Sequence, residues 1–114
     1  MKVKGIGIDV ADISRYLFAT EDYSLAERVL HHEEFKRYCL ITNPDGRASY
    51  LASRFAAKEA YVKAVNDRSV DYRTIEVRSD ETGAPHLYVA GKEINGMVSI
   101  SHDNVAVAVV IVFE

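Results

Sequence analysis

The sequence has 114 residues, 48% of them apolar and 27% charged, as is typical of one globular domain, so residues 1–114 are predicted to form a single domain. The net charge of −3 gives no global electrostatic reason to bind nucleic acid or an anionic membrane. The single cysteine, Cys39, cannot form an intrachain disulfide, and no basic segment followed by an apolar one opens the chain. A cytoplasmic location is therefore expected.

Residues 3–10 are predicted to form a strand whose side chains alternate between two faces. One face is apolar, with Ile6, Ile8 and Val10, while the other carries two glycines and the carboxylate of Asp9. Because glycine has no side chain to pack, the second face indicates that something approaches the strand backbone closely.

Residues 12–38 are predicted to be mainly helical. Asp12 is expected to cap the first helix, and Ser24 with Glu27 has the spacing of a capping box. The Asn-Pro-Asp-Gly sequence at 43–46 predicts a turn, after which a second helix runs from Arg47 to about Val65.

The last third of the chain is predicted to consist of strands. Residues 74–78 and 86–89 form a hairpin around a turn at 80–85, and residues 97–102 pair with residues 105–113. The final segment is apolar throughout, as in a strand covered on both faces. Helices followed by strands indicate an α+β domain with a mainly antiparallel sheet.

Glu59 interrupts the apolar stripe of the second helix, which otherwise contains Ala48, Leu51, Ala52, Phe55 and Val62. A buried carboxylate is costly unless it is paired, hydrogen-bonded or bound to a cation. Lys63, four residues later, would give a simple ion pair. Alternatively, Glu59 and Asp9 share a metal ion, and the sequence leaves both possibilities open.

Two carboxylates are a sparse set of oxygen ligands, of the kind that Mg²⁺ takes when water and substrate phosphates complete its coordination. Arg54, Lys58 and Lys63 add positive charge near Glu59. Carboxylates for a metal with cations for phosphate predict a phosphoryl-type site. His102, at the end of a strand, is either a ligand-binding residue or an exposed turn histidine.

Other patterns carry less weight. Ser99 and Ser101 lie near His102, but neither is in a nucleophile elbow, so a Ser-His hydrolase is not favoured. His31 and His32 are adjacent, cannot share one helix face and are expected to be solvated. The Gly-Ile-Gly at 5–7 is too short for a dinucleotide fingerprint.

Three segments together resemble one family: residues 5–10 (GIGIDV), 53–64 (SRFAAKEAYVKA) and 98–102 (VSISH). They are similar to holo-acyl carrier protein synthase, the bacterial 4′-phosphopantetheinyl transferase. The resemblance implies an α+β trimer with active sites between subunits. It also implies a Mg²⁺-dependent enzyme of fatty acid biosynthesis that transfers the 4′-phosphopantetheine group of coenzyme A to a serine of apo acyl carrier protein, releasing adenosine 3′,5′-bisphosphate.

By matching positions, the resemblance implies that Asp9 and Glu59 hold the metal. Lys63 would contact the pyrophosphate, and the phosphates of coenzyme A would lie near Arg54, Lys58 and His102. The first helix, with Arg15 and Arg28, would dock the acidic carrier protein. Two other classes stay open: a Mg²⁺-dependent phosphoanhydride hydrolase, and a non-catalytic trimeric module that binds coenzyme A or a carrier protein.

Overall fold

The computed structural model describes residues 1–114, except for the side chain of Thr20. Its elements in chain order are β1 (Val3–Asp12), α1 (Ser24–Val29), α2 (His32–Leu40), α3 (Pro44–Val65), β2 (Ile75–Ser79), β3 (Pro85–Val89), β4 (Lys92–Glu93), β5 (Gly96–His102) and β6 (Val105–Phe113). Short 3-10 helices cover Ile13–Tyr16, Phe18–Thr20 and Tyr72–Thr74.

The strands form two three-stranded antiparallel sheets. The first has the order β1-β6-β5, and the second has the order β2-β3-β4. The long helix α3 packs across β1 and β6, and a core rich in alanine and valine lies between helix and strands. The expectation of an α+β domain with antiparallel strands is confirmed, but the strands form two sheets where one was expected.

The glycine face of β1 lies directly against α3. A Cβ atom on Gly5 or Gly7 would overlap the carbonyl oxygen of Ala64 or Ala60, respectively. What approaches the strand closely is therefore the backbone of α3, and the two glycines set its separation from β1. This contact fixes where residues of the second half of α3 lie relative to Asp9.

Residues 13–40 are less helical than predicted. Asp12 does cap the first segment by accepting a hydrogen bond from the Ser14 N–H (3.1 Å), but that segment is a short 3-10 helix. The capping box predicted at Ser24 and Glu27 is wrong, because α1 has no side-chain cap. The box occurs at α2 instead, between His31 and Glu34, where an imidazole replaces the usual hydroxyl, so the expectation that His31 is simply solvated is also wrong.

Helix α3 begins at Pro44, inside the segment predicted as a turn. The Asn43 side chain accepts hydrogen bonds from the N–H groups of Asp45 and Gly46, and proline follows at the first helical position. The predicted strands agree with the structure to within two residues, and β4 was not predicted.

One face of the β1-β6-β5 sheet packs on α3, and the opposite face is an uncovered apolar surface in the single chain. Ile6 and Met97 flank Ile111, and Ile8 lies opposite Val109. Ile6, Ile8 and Met97 are each more than half exposed, and β6 is buried on only one of its faces. The prediction that β6 is covered on both faces does not hold for one chain.

No helix among the described residues combines the length and the apolar character needed to cross a membrane.

Candidate active site

Asp9 lies on the β1 face that packs on α3, and Lys63 reaches it from the last turn of that helix. The Lys63 Nζ donates to Asp9 Oδ1 (3.2 Å) and to the Ile8 carbonyl (2.9 Å). The Asp9 side chain is 18% exposed and that of Lys63 is 42% exposed. The pair therefore sits at a surface that a ligand can reach.

Glu59 does not pair with Lys63, although the spacing in the sequence allows it. Its nearest cation in the structure is Arg68, whose Nη1 lies 3.9 Å from Glu59 Oε2. The Glu59 side chain is 22% exposed, whereas that of Arg68 is 76% exposed, so this ion pair is weak and easily displaced. Glu59 thus remains open to a cation from solution.

Two tyrosines mark Asp9 and Glu59 as neighbours. The pKa of Tyr16 is raised first by burial and then by the negative charges of Asp9 and Glu59. The pKa of Tyr72 is raised by burial, by a hydrogen bond to Glu59, and by the charges of Glu59 and Asp9. Lys63, which contacts Asp9, lies one helical turn after Glu59 on α3, so strand β1 and helix α3 bring both carboxylates to the same side of the structure, near the same two phenols.

This pair suits a cation that is not held by protein alone. No group of three or more metal-ligating side chains occurs among the described residues, so a tight, closed metal site is absent from that part of the structure. Two partly exposed carboxylates suit Mg²⁺, which keeps several waters and takes further oxygens from substrate phosphates. The donor set of Asp9 and Glu59 fits such an ion.

A second feature is a cavity of about 390 Å³ between α3, the turn from β2 to β3 and the end of β5. Arg54 and His102 line it, together with Ser49, Ser53, Gly83 and Pro85. The His102 Nδ1 lies 3.4 Å from Ser49 Oγ. The Arg54 guanidinium stacks 3.9 Å from the centre of the Tyr50 ring, and its buried Nε has no hydrogen-bond partner among the described residues.

The cavity thus offers a guanidinium and an imidazole, both suited to phosphate oxygens. Its lining does not include Asp9, Glu59 or Lys63. Within one chain, the predicted site residues therefore form two groups rather than a single pocket.

The prediction that Lys58 lies near the phosphates of coenzyme A does not agree with the structure. Its side chain is fully buried, and its Nζ donates to Glu34 Oε1 (2.6 Å), to the Val29 carbonyl (2.8 Å) and to the Tyr72 carbonyl (3.1 Å). An ammonium has three donors, and these contacts use all of them. Burial lowers the pKa of Lys58, and the Glu34 carboxylate opposes this effect. Lys58 therefore acts as a structural residue, with no ammonium donor left over for a substrate phosphate.

The two arginines predicted to meet a protein partner are at the surface. Arg15 lies in the first 3-10 helix and Arg28 lies in α1, and both are exposed. Between them in the chain, Phe18 is 83% exposed. Arginine and aromatic residues are both enriched in protein interfaces.

Several residues near the site have no sequence signal. Tyr72 is hydrogen-bonded to Glu59 and Tyr16 lies near both carboxylates, each from its own 3-10 helix, and Arg68 comes from the loop after α3. Ser49 meets His102 across 53 positions of sequence. Only the tertiary fold brings such residues together, so neither periodicity nor spacing could have found them.

Comparison with known proteins identifies the family. Residues 5–110 match the model of the 4′-phosphopantetheinyl transferase superfamily. The chain is 41% identical to the holo-[acyl-carrier-protein] synthase of Streptococcus agalactiae and 36% identical to that of a Geobacillus strain; the first match covers 98% of each chain, and the second covers 95% of this chain and 94% of the relative.

Solved structures agree with the sequence relatives. A holo-(acyl-carrier-protein) synthase from Bacillus anthracis, in complex with CoA (3′,5′-ADP), superimposes with a TM-score of 0.81 at 35% identity, over 96% of this chain and 95% of that one. The Neisseria meningitidis synthase gives a TM-score of 0.83 at 26% identity, over 99% and 100% of the two chains. On these similarities, the chain belongs to the holo-acyl carrier protein synthase family of 4′-phosphopantetheinyl transferase enzymes.

Proposed function

We propose that this chain transfers the 4′-phosphopantetheine group of coenzyme A to a serine of an apo acyl carrier protein, releasing adenosine 3′,5′-bisphosphate. The observation that carries the proposal is the neighbourhood of Asp9, Glu59 and Lys63, in a chain whose relatives bear the name of this synthase. The proposal treats residues 1–114 as one cytoplasmic transferase domain.

Asp9 and Glu59 would hold Mg²⁺ in this proposal. Both carboxylates are partly exposed and face the same neighbourhood. Bound there, the ion would offset the negative charge of the pyrophosphate oxygens and of the two carboxylates, which otherwise repel the substrate.

The chemistry asks the protein mainly to position its substrates and to offset charge. The serine oxygen of the carrier forms a bond to the phosphorus that bears the pantetheine arm, and the bond from that phosphorus to the bridging oxygen of the bisphosphate breaks. Lys63 uses two donors on Asp9 and Ile8, which leaves a third for an oxygen of the leaving phosphate. Glu59, directly or through a water, takes the serine proton.

The cavity beside Arg54 and His102 would receive the phosphates at the nucleotide end of coenzyme A. The buried, unpartnered Nε of Arg54 supports this role, because such a donor is costly unless a ligand satisfies it. Lys58 takes no part, since its three donors are used inside the protein.

The separation of the two groups within one chain favours an active site shared between subunits. The uncovered apolar face of the β1-β6-β5 sheet supplies a surface for that assembly, which we propose to be a homotrimer. Packing this face against other copies would remove exposed isoleucine and methionine from water. The cavity of one subunit would then lie beside the carboxylates of the next.

The carrier protein would dock on the surface that presents Arg15, Phe18 and Arg28. An acidic partner suits the two arginines. However, Glu21 and Asp22 in the same segment are exposed as well, so electrostatic attraction there is weaker than the arginines alone would give.

Intact-mass analysis of apo carrier protein incubated with the chain, coenzyme A and Mg²⁺ tests the proposal. A mass gain equal to one phosphopantetheine group is expected. Release of the bisphosphate without that gain would indicate a hydrolase, and binding without either product would indicate a non-catalytic module. Asp9→Ala and Glu59→Ala should each abolish transfer while circular dichroism stays that of the parent chain. A fully active Glu59→Ala enzyme would contradict the metal assignment.

A further inference from the structure

His86, on strand β3, lies between two carboxylates. Its Nε2 is 2.7 Å from Asp80 Oδ2 in the preceding turn, and its Nδ1 is 2.8 Å from Glu93 Oε2 on β4. An ionised carboxylate only accepts hydrogen bonds, so both ring nitrogens must donate. This geometry requires the doubly protonated, positively charged imidazolium form of His86.

The Asp80 carboxylate also organises the turn from β2 to β3. Its Oδ1 accepts hydrogen bonds from the Thr82 N–H (2.8 Å), the Thr82 hydroxyl (2.6 Å) and the Ala84 N–H (3.1 Å). Its other oxygen is the one that His86 holds. His86 therefore connects the turn at one nitrogen to β4 at the other.

The same turn is a wall of the cavity described above. Ser79, Gly83 and Pro85 line that cavity together with Arg54 and His102. Gly83 has a positive φ of 87°, a conformation that the hydrogen bonds around Asp80 help to maintain. The position of this wall therefore depends on the contacts that Asp80 makes.

We propose that His86 is a positioning residue for the coenzyme A cavity: as an imidazolium bridging Asp80 and Glu93 it fixes the Asp80–Pro85 turn, and its deprotonation releases that wall and weakens substrate binding. This inference rests on the proposed function only in taking coenzyme A as the occupant of the cavity. His86 itself does not line the cavity, so it acts through the turn and not on the substrate.

The contribution of His86 to the stability of the turn should decrease as the pH rises. The pKa of His86 is raised first by Asp80 and then by Glu93, and the pKa of Asp80 is lowered by Thr82 and then by His86. Stabilisation from a raised histidine pKa is complete below its ordinary value of about 6.5 and is lost as pH rises through the folded pKa. Stabilisation from a lowered aspartate pKa is present above about 3.9. Both contributions are therefore complete between about pH 3.9 and about pH 6.5, and the contribution of His86 to the turn is lost as the pH rises through its raised pKa.

The other charged group facing His86 is Arg78, which lies opposite it on β2. Its guanidinium is bonded to Glu76 (2.9 Å) and stacks on the Tyr88 ring (3.8 Å). Arg78 has these partners of its own and keeps its charge at all relevant pH values. Its electrostatic effect on His86 is therefore the same throughout the pH range and adds no pH dependence of its own.

The test compares His86→Gln, His86→Arg and the control His32→Gln between pH 6 and pH 9. His32 is an exposed histidine that lies 3.8 Å from the single carboxylate of Glu33. In the parent chain, KM for coenzyme A is expected to rise with pH. His86→Gln should raise KM at pH 6 by about two- to fivefold, the size expected for a solvent-exposed ion pair, with a smaller change in kcat. His86→Arg should show a smaller rise in KM with pH than the parent chain, because its charge persists while the cavity residue His102 is the same in both.

Backbone NMR separates failure of this inference from failure of the proposed function. The amide signals of Gly83 and Ala84 should titrate together with the His86 ring in the parent chain, with or without any transferase activity. They should shift at all pH values in His86→Gln and stay unperturbed in His32→Gln. If the turn amides do not follow His86, or if His86→Arg shows the same pH-dependent KM as the parent chain, the inference is overturned.

Discussion

Replacing Lys58 with methionine should destabilise the fold rather than weaken substrate binding. The Nζ of Lys58 lies 2.6 Å from the Glu34 carboxylate, and both side chains are fully buried. At this separation and an effective dielectric constant of about 20, the attraction between two unit charges is about 6 kcal/mol. Methionine keeps most of the volume and removes the charge. The substitution therefore tests the ion pair with little change in packing.

Loss of Lys58 leaves the Glu34 carboxylate buried with only neutral donors. Glu34 would still accept from the His31 N–H (3.0 Å) and the Val77 N–H (2.8 Å), but its charge would be uncompensated. Breaking a buried pair at one partner costs about 3–5 kcal/mol. For a chain of this size, that corresponds to a fall in Tm of roughly 12–20 °C.

Urea unfolding at one fixed protein concentration measures the effect, because the proposed assembly would make stability depend on concentration. Lys36→Met is the matched control: Lys36 pairs with Glu33 at 3.4 Å on the surface, and its loss should change the free energy of unfolding by less than about 1 kcal/mol. If Lys58→Met unfolds the chain, the double variant Glu34→Leu with Lys58→Met should recover folding, since it removes both charges. A stable Lys58→Met enzyme with a raised KM for coenzyme A would refute this reasoning.

Three further substitutions probe the packing, the assembly and the partner surface. Gly7→Ala would force a Cβ into the Ala60 carbonyl, so the free energy of unfolding should fall by about 3 kcal/mol. The control Gly46→Ala, at the start of α3, should have a free energy of unfolding within about 1 kcal/mol of the parent chain. Equal effects of the two substitutions would mean that β1 and α3 do not touch as described. Ile8→Asp should convert the proposed trimer to monomers in light scattering, and a parent chain that is itself monomeric would contradict the proposed assembly. Arg15→Glu should raise KM for the carrier protein more than KM for coenzyme A, and equal effects would remove Arg15 from the docking surface.

Local sequence patterns predicted most of the strands and the long helix. Alternating side chains fixed β1, and a run of valine and isoleucine fixed β6, because both patterns reflect burial on a pleated strand. The short helices were harder to predict. The capping box of α2 uses His31, a residue type outside the usual capping set, and Asn43 starts α3 where the same four residues also suit a turn.

The sequence by itself singled out two carboxylates. Glu59 is the one charged residue within the apolar stripe of the long helix, and Asp9 is the one carboxylate on the glycine face of β1. It could not assign partners. Spacing allowed Lys63 to pair with Glu59, and the family resemblance implied that Lys58 lies near coenzyme A, yet Lys63 bonds to Asp9 and Lys58 is buried on Glu34. Helical spacing describes neighbours along one element, whereas a charged side chain pairs with whatever the packing of other elements brings within reach. The contact of β1 with α3 and the docking of α2 beneath α3 decided those pairs.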